Sequence, residues 1–160
     1  MNGDFSPYSI SQFTGINVQL HDEPLRNTLF TFGSMDGFCD RLEGKKAGSS
    51  HFSPKTVIIP VDSEARQLAC FEDGRNAIVA RRFTDWTSIY CVSPFLPAQA
   101  WRNLAAISGT HRYIDTEDVV YANRSMVSVV ARNSGKRTIH LPAKKLNLLG
   151  TSRKNIQSLV

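Results

Sequence analysis

The sequence predicts an α+β fold, a partial α/β unit followed by a small antiparallel β-sandwich, and three observations carry that expectation. Residues 86–92 form a buried-type, β-rich run. A Pro-punctuated loop then leads into an amphipathic helix over 97–108 that Gly109 stops. Beyond it the texture is all β: short β-branched runs at 111–116, 119–123, 126–133 and 137–141, separated by turn-forming segments at 115–118, 123–125 and 133–135. A strand, a helix and then only strands reads as the last βα unit of one domain and the start of another. The expected layout is a partial α/β domain over 1–109, a small β domain over 110–150, and a flexible tail over 151–160.

The earlier elements follow from local signals. Ser6 or Ser9 caps a short helix through Ile10 and Phe13, which Gly15 ends. Residues 16–20 alternate as a strand, and 27–32 is expected to pair with it. The segment 33–53 carries four glycines, adjacent Lys45 and Lys46, and a Ser-Ser pair, so it reads as a long loop. Residues 56–61 resume as a strand in which Pro60 belongs at an edge or an end. Runs 67–71 and 77–83 flank a turn with Gly74, and a second turn at Thr84 and Asp85 returns the chain into 86–92, giving two successive hairpins. Within the 97–108 helix, Ala98, Trp101, Leu104, Ala105 and Ile107 share one side, and Gln99, Arg102 and Asn103 face away.

The composition, 41% apolar and 21% charged over 160 residues, is that of a soluble globular protein. No apolar run approaches the roughly 18 residues needed to span a bilayer. Residues 1–7 have neither the basic nor the apolar segment of a secretory signal, so a cytoplasmic product with no membrane partner is expected. Cys39, Cys70 and Cys91 are odd in number and widely spaced, which disfavours zinc and a disulfide framework. Cys70 and Cys91 read as small hydrophobes in strands, and Cys39 as a loop residue. Neither a G-x-G-x-x-G nor a Walker loop occurs, and no cofactor is expected.

Charge is distributed unevenly. Residues 1–118 hold 11 basic and 14 acidic side chains, a balance of −3, whereas 119–160 hold 8 basic and none acidic. Arg124, Arg132, Lys136, Arg137, Lys144 and Lys145, with Arg153 and Lys154 beyond them, form a candidate polyanion-contacting set. The region has no aromatic residue after Tyr121 and no recognition-helix motif, which weighs against nucleic acid as the first reading.

Catalytic patterns are weak. Asp115, Glu117 and Asp118 cluster on one turn, whereas glycoside hydrolysis requires two carboxyl groups roughly 5.5 or 6.5–9.5 Å apart across a cleft. A Cys-His nucleophile would need Cys39, Cys70 or Cys91 to meet His21, His51, His111 or His140, and no nucleophile elbow is present. Trp86, Tyr90, Trp101, Tyr113 and Tyr121 offer a stacking surface for sugar, but Trp86 and Trp101 sit on elements that need core anchors and are expected to be buried.

Residues 85–94, 96–109, 119–123, 126–135 and 138–142 together resemble the C-terminal part of family-42 β-galactosidase-like bacterial glycoside hydrolases. In that family a catalytic barrel precedes an amidotransferase-like, flavodoxin-type α/β trimerisation domain and a small β-sandwich. The resemblance covers roughly residues 6–150, with 108–112 at the handover between the two domains and the 133–135 turn in the late hairpin. It implies no catalytic residue here, because both catalytic carboxylates of the family lie in the barrel. One departure stands out: half an α/β domain would expose sheet edges and an unfilled core face, so the chain either closes itself differently, pairs with another chain, or is a remnant that depends on a partner. The expected function is a non-catalytic accessory or assembly module, partnered by further copies of itself, by a larger hydrolase chain or by carbohydrate. The alternative is a basic nucleic-acid-binding protein using the C-terminal β region.

Overall fold

The structure is a computed structural model that describes residues 6–23, 25–33 and 36–142. The chain divides into two compact units, Met1–Ile107 and Ser108–Val160. Its class is mixed α+β, and every strand pair among the described residues is antiparallel.

The first unit opens with helix α1 (Pro7–Thr14). Ser6 caps it, its Oγ accepting from the Ser9 N–H at 3.2 Å, and Gly15 closes it in the left-handed conformation at φ 68°. Contrary to the sequence expectation, strand β1 (Val18–His21) does not pair with the run at 27–32. It forms a ribbon with β4 (Val57–Pro60), Val18 opposite Pro60. Pro60 ends its strand, where a missing N–H costs no ladder bond. The 27–32 run supplies β2 (Phe30–Phe32), which joins the main sheet because Phe30 and Phe32 are core residues there.

That main sheet has the order β3-β2-β5-β6-β7, with β3 at Lys46–Ala47, β5 at Arg66–Phe71, β6 at Asn76–Arg82 and β7 at Thr87–Cys91. Both hairpins expected from the turns are present: β5 and β6 across Gly74 at φ 84°, and β6 and β7 across Thr84 and Asp85. One set of buried residues packs Phe30, Phe32, Leu68 and Ile78 with the short helix α2 (Asp36–Cys39) and with Ala100 of helix α3 (Ala98–Ile107). A smaller set, Ile16, Val18 and Val79, lies under α1 with Tyr90 against it.

The segment 33–53 is therefore not one long loop. It contains α2 and β3, and Phe38, Cys39 and Leu42 are buried; the flanking Gly37 and Gly44 hid a packed element. The inward side of α3 also differs from the sequence reading. Ala100 and Asn103 are buried, while Trp101 is 58% exposed and Ile107 52%. Asn103 is inward because its amide is fully used: Nδ2 donates to the carbonyls of Phe38 at 2.7 Å and Asp40 at 2.8 Å, and Oδ1 accepts from Gln99. It satisfies carbonyls at the end of α2 that would otherwise be orphaned in the core.

In the second unit the paired strands are β8 (Val119–Ala122) and β9 (Val127–Val130), Val119 opposite Val130. The runs at 111–116 and 137–141, read as strands from sequence, meet through one main-chain bond, His140 N–H to the Tyr113 carbonyl at 2.7 Å. Side-chain bonds replace a ladder here. Asp118 accepts from the Arg132 N–H at 2.9 Å and from Arg137 Nε at 2.7 Å, and the Asp115 carboxylate lies 3.0 Å from His140 Nε2.

Candidate functional site

The outer edge of β7 is an edge of the main sheet open to a partner. Its register against β6 pairs Ile78 with Cys91, Ala80 with Ile89 and Arg82 with Thr87. The flanking bonds, Phe83 N–H to the Trp86 carbonyl at 2.8 Å and Val92 N–H to the Ala77 carbonyl at 2.9 Å, set the phase of the ladder. Ser88 and Tyr90 thus exchange main-chain bonds with β6, and the N–H and C=O groups of Thr87, Ile89 and Cys91 point the other way. No bond reaches those outward groups among the described residues. The strand carries no charge and no proline, so none of the usual edge guards protects it.

A rigid assembly holds the start of this edge. The Asp62 side chain, 1% exposed, accepts from the N–H groups of Asn17 at 2.8 Å, Glu64 at 2.9 Å and Ala65 at 3.1 Å, and from Arg81 at 2.8 Å. Burial alone would raise its pKa, but these donors together hold the carboxyl below the usual range. Arg81 also donates to the Gly15 carbonyl at 2.9 Å and pairs with Glu64, tying β6 to the end of α1. Its guanidinium lies 5.1 Å from the Phe83 ring centroid, and Phe83 stacks on Trp86 at 4.3 Å with 12° between planes. Gly15 is required beneath that ring, since a Cβ there would fall 2.4 Å from Phe83 Cζ. Trp86, expected to be a core anchor, is instead 49% exposed at the head of β7, because Phe83 fills the position under it.

The other sequence-derived candidates are scattered. Cys39 is a buried helix residue rather than a loop residue, its Sγ 3.5 Å from the Leu68 carbonyl. Burial pushes the Cys91 thiol up to about 11, and its Sγ faces the Ser93 carbonyl at 2.8 Å, so it is a thiol rather than a nucleophilic thiolate at neutral pH. Tyr90 donates to the Ile58 carbonyl at 3.1 Å and acts as a core anchor. Tyr121 is exposed on β8, and Tyr113 meets His111 edge to face. Among the described residues no group of His, Cys, Asp and Glu could hold a metal ion.

The carboxylates of the 115–118 turn are engaged as ion-pair partners. The hydrogen bond from Arg137, helped by Thr116 and the Arg132 N–H, holds the Asp118 carboxyl far below the usual range, which unfits it as a general acid. Asp115 lies between Arg112 at 3.3 Å and His140 at 3.0 Å. Of the polyanion set, Arg137 is fully occupied, donating to Asp118 and to the Gly135 and Asn133 carbonyls. Arg124, Arg132 and Lys136 are exposed. Lys144, Lys145, Arg153 and Lys154 lie outside the described residues, as does the proposed tail.

No family model, curated protein or solved structure matches this chain. No helix among the described residues is long and apolar enough to cross a membrane.

Proposed function

We propose that the chain is a non-catalytic accessory module that serves assembly, of the kind that ends β-galactosidase-like glycoside hydrolases. One observation carries the reading: a five-residue, uncharged strand, β7, lies at the edge of the main sheet with its outward main-chain groups unpaired among the described residues. Such an edge accepts a further strand, with main-chain bonds supplying affinity. Partners of this reading are further copies of the chain or a larger hydrolase chain, and the exposed Trp101 is the contact for any carbohydrate. A cytoplasmic location goes with it. In this view the second unit corresponds to the small β-sandwich, whereas the antiparallel sheet of the first unit departs from the parallel order of a flavodoxin-type layer.

Sedimentation velocity at about 0.1 and 0.5 M salt, with and without nonspecific DNA, tests the proposal, because strand pairing is salt-insensitive whereas phosphate contacts weaken steeply with salt. A salt-insensitive oligomer that ignores DNA supports it. A monomer that comigrates with DNA at low salt only would overturn it in favour of a nucleic-acid contact through Arg124, Arg132 and Lys136.

A further inference from the structure

We propose that β7 pairs antiparallel with β7 of a second copy about a two-fold axis at Ile89, joining two five-stranded sheets into one. The inference rests on the assembly reading and names its partner and register. Three features of the strand favour a copy of itself over a foreign segment.

The outward groups come from Thr87, Ile89 and Cys91, spaced symmetrically about Ile89. Two copies in opposite directions therefore match Ile89 with Ile89 and Thr87 with Cys91, closing about six main-chain bonds at two per hydrogen-bonded pair. Closure is isologous, so the dimer leaves no β7 edge free to propagate. Next, no residue of β7 is charged, and self-pairing brings no like charges together. Finally, the same register sets Trp86 of one copy opposite Val92 of the other. Trp86 shares its side of the sheet with Phe83, Ser88 and Tyr90, and Val92 has the same parity. An indole left 49% exposed by its own chain then lies at the seam beside the partner's Val92, a residue half-buried against its own main core.

The test uses the full chain carrying Trp101→Phe, so that Trp86 alone reports. On raising the protein concentration, sedimentation shifts from monomer to dimer, and the Trp86 emission moves to the blue with the same midpoint. Thr87→Pro removes an outward N–H without touching a β6 bond, once in each copy, and is expected to weaken the dimer about tenfold. Thr87→Lys, at an exposed position, repeats the loss without altering the backbone. Two results would overturn the inference, and they are distinguishable. A monomer at all concentrations sinks both it and the assembly reading. An oligomer that keeps its affinity in both Thr87 variants, with Trp86 emission unchanged on association, sinks the β7 register alone.

Discussion

The two edges of the main sheet are built differently. The β3 edge is two residues long and carries Lys46, with Lys45 before it, and Lys46 is ion-paired with Glu72 at 3.3 Å. The β7 edge is five residues long, uncharged and free of proline, with an exposed tryptophan at its head. Shortness and lysine are the devices by which natural sheets discourage strand addition, and the sheet uses both on one side only. The contrast teaches that the exposure of β7 is not a general feature of this sheet, since the same chain guards its other edge.

The largest way to break the contrast is to remove the footing of the β6–β7 hairpin. Arg81→Ala leaves the Asp62 carboxylate buried without its cation, and the first unit is expected to lose about 3 kcal/mol, read as a fall in the urea midpoint. A smaller loss, about 1–2 kcal/mol, is expected from Gly15→Ala, which strains a residue at φ 68° and drives a methyl group into the Phe83 ring. Near-ultraviolet circular dichroism of the Phe83–Trp86 stack should change with it. An unchanged spectrum and midpoint would show that Gly15 does not support the stack.

Exchanging the guards sharpens the comparison. Lys46→Thr strips the lysine from β3 and is expected to change stability by less than about 0.5 kcal/mol and association not at all, because two residues offer too short a template. A gain in association by Lys46→Thr equal to the loss by Thr87→Lys would mean that the edges are equivalent. The smallest effect concerns pH. The Asp62 carboxyl is held below its ordinary 3.8, so its contribution is present above that value and is lost as pH falls through the folded-state pKa. Acid unfolding of the first unit should therefore begin below about pH 4, and Asp62→Asn should flatten that limb. Association through main-chain groups of β7 should stay level from about pH 6 to 8, where none of the pairing groups titrates.

Much of the β architecture was legible from turn chemistry. Gly74 and the Thr84–Asp85 pair marked both hairpins, and Pro60 marked the end of β4, because each residue has a backbone requirement that sequence displays directly. Long-range choices were not legible. Whether 27–32 joins β1 or the main sheet depends on where Phe30 and Phe32 find a core, and periodicity is silent on that. The inward position of Asn103 was hidden for a related reason: a polar side chain reads as outward until the carbonyls of Phe38 and Asp40 that it satisfies are known. At the candidate site, the absence of charge and proline from 87–91 was visible in the sequence. The exposure of Trp86 was not, since an aromatic residue on a hairpin reads as core unless the Phe83 beneath it is known.

The central claim, that β7 is the joining edge and β3 the guarded one, is tested most directly by residue-resolved amide hydrogen exchange at two protein concentrations spanning the association midpoint. The account predicts that the outward amides of Thr87, Ile89 and Cys91 become protected as concentration rises, while that of Lys46 at the β3 edge exchanges at the same rate throughout. Fast exchange of all three β7 amides in the associated state, or protection appearing at Lys46 instead, would contradict it.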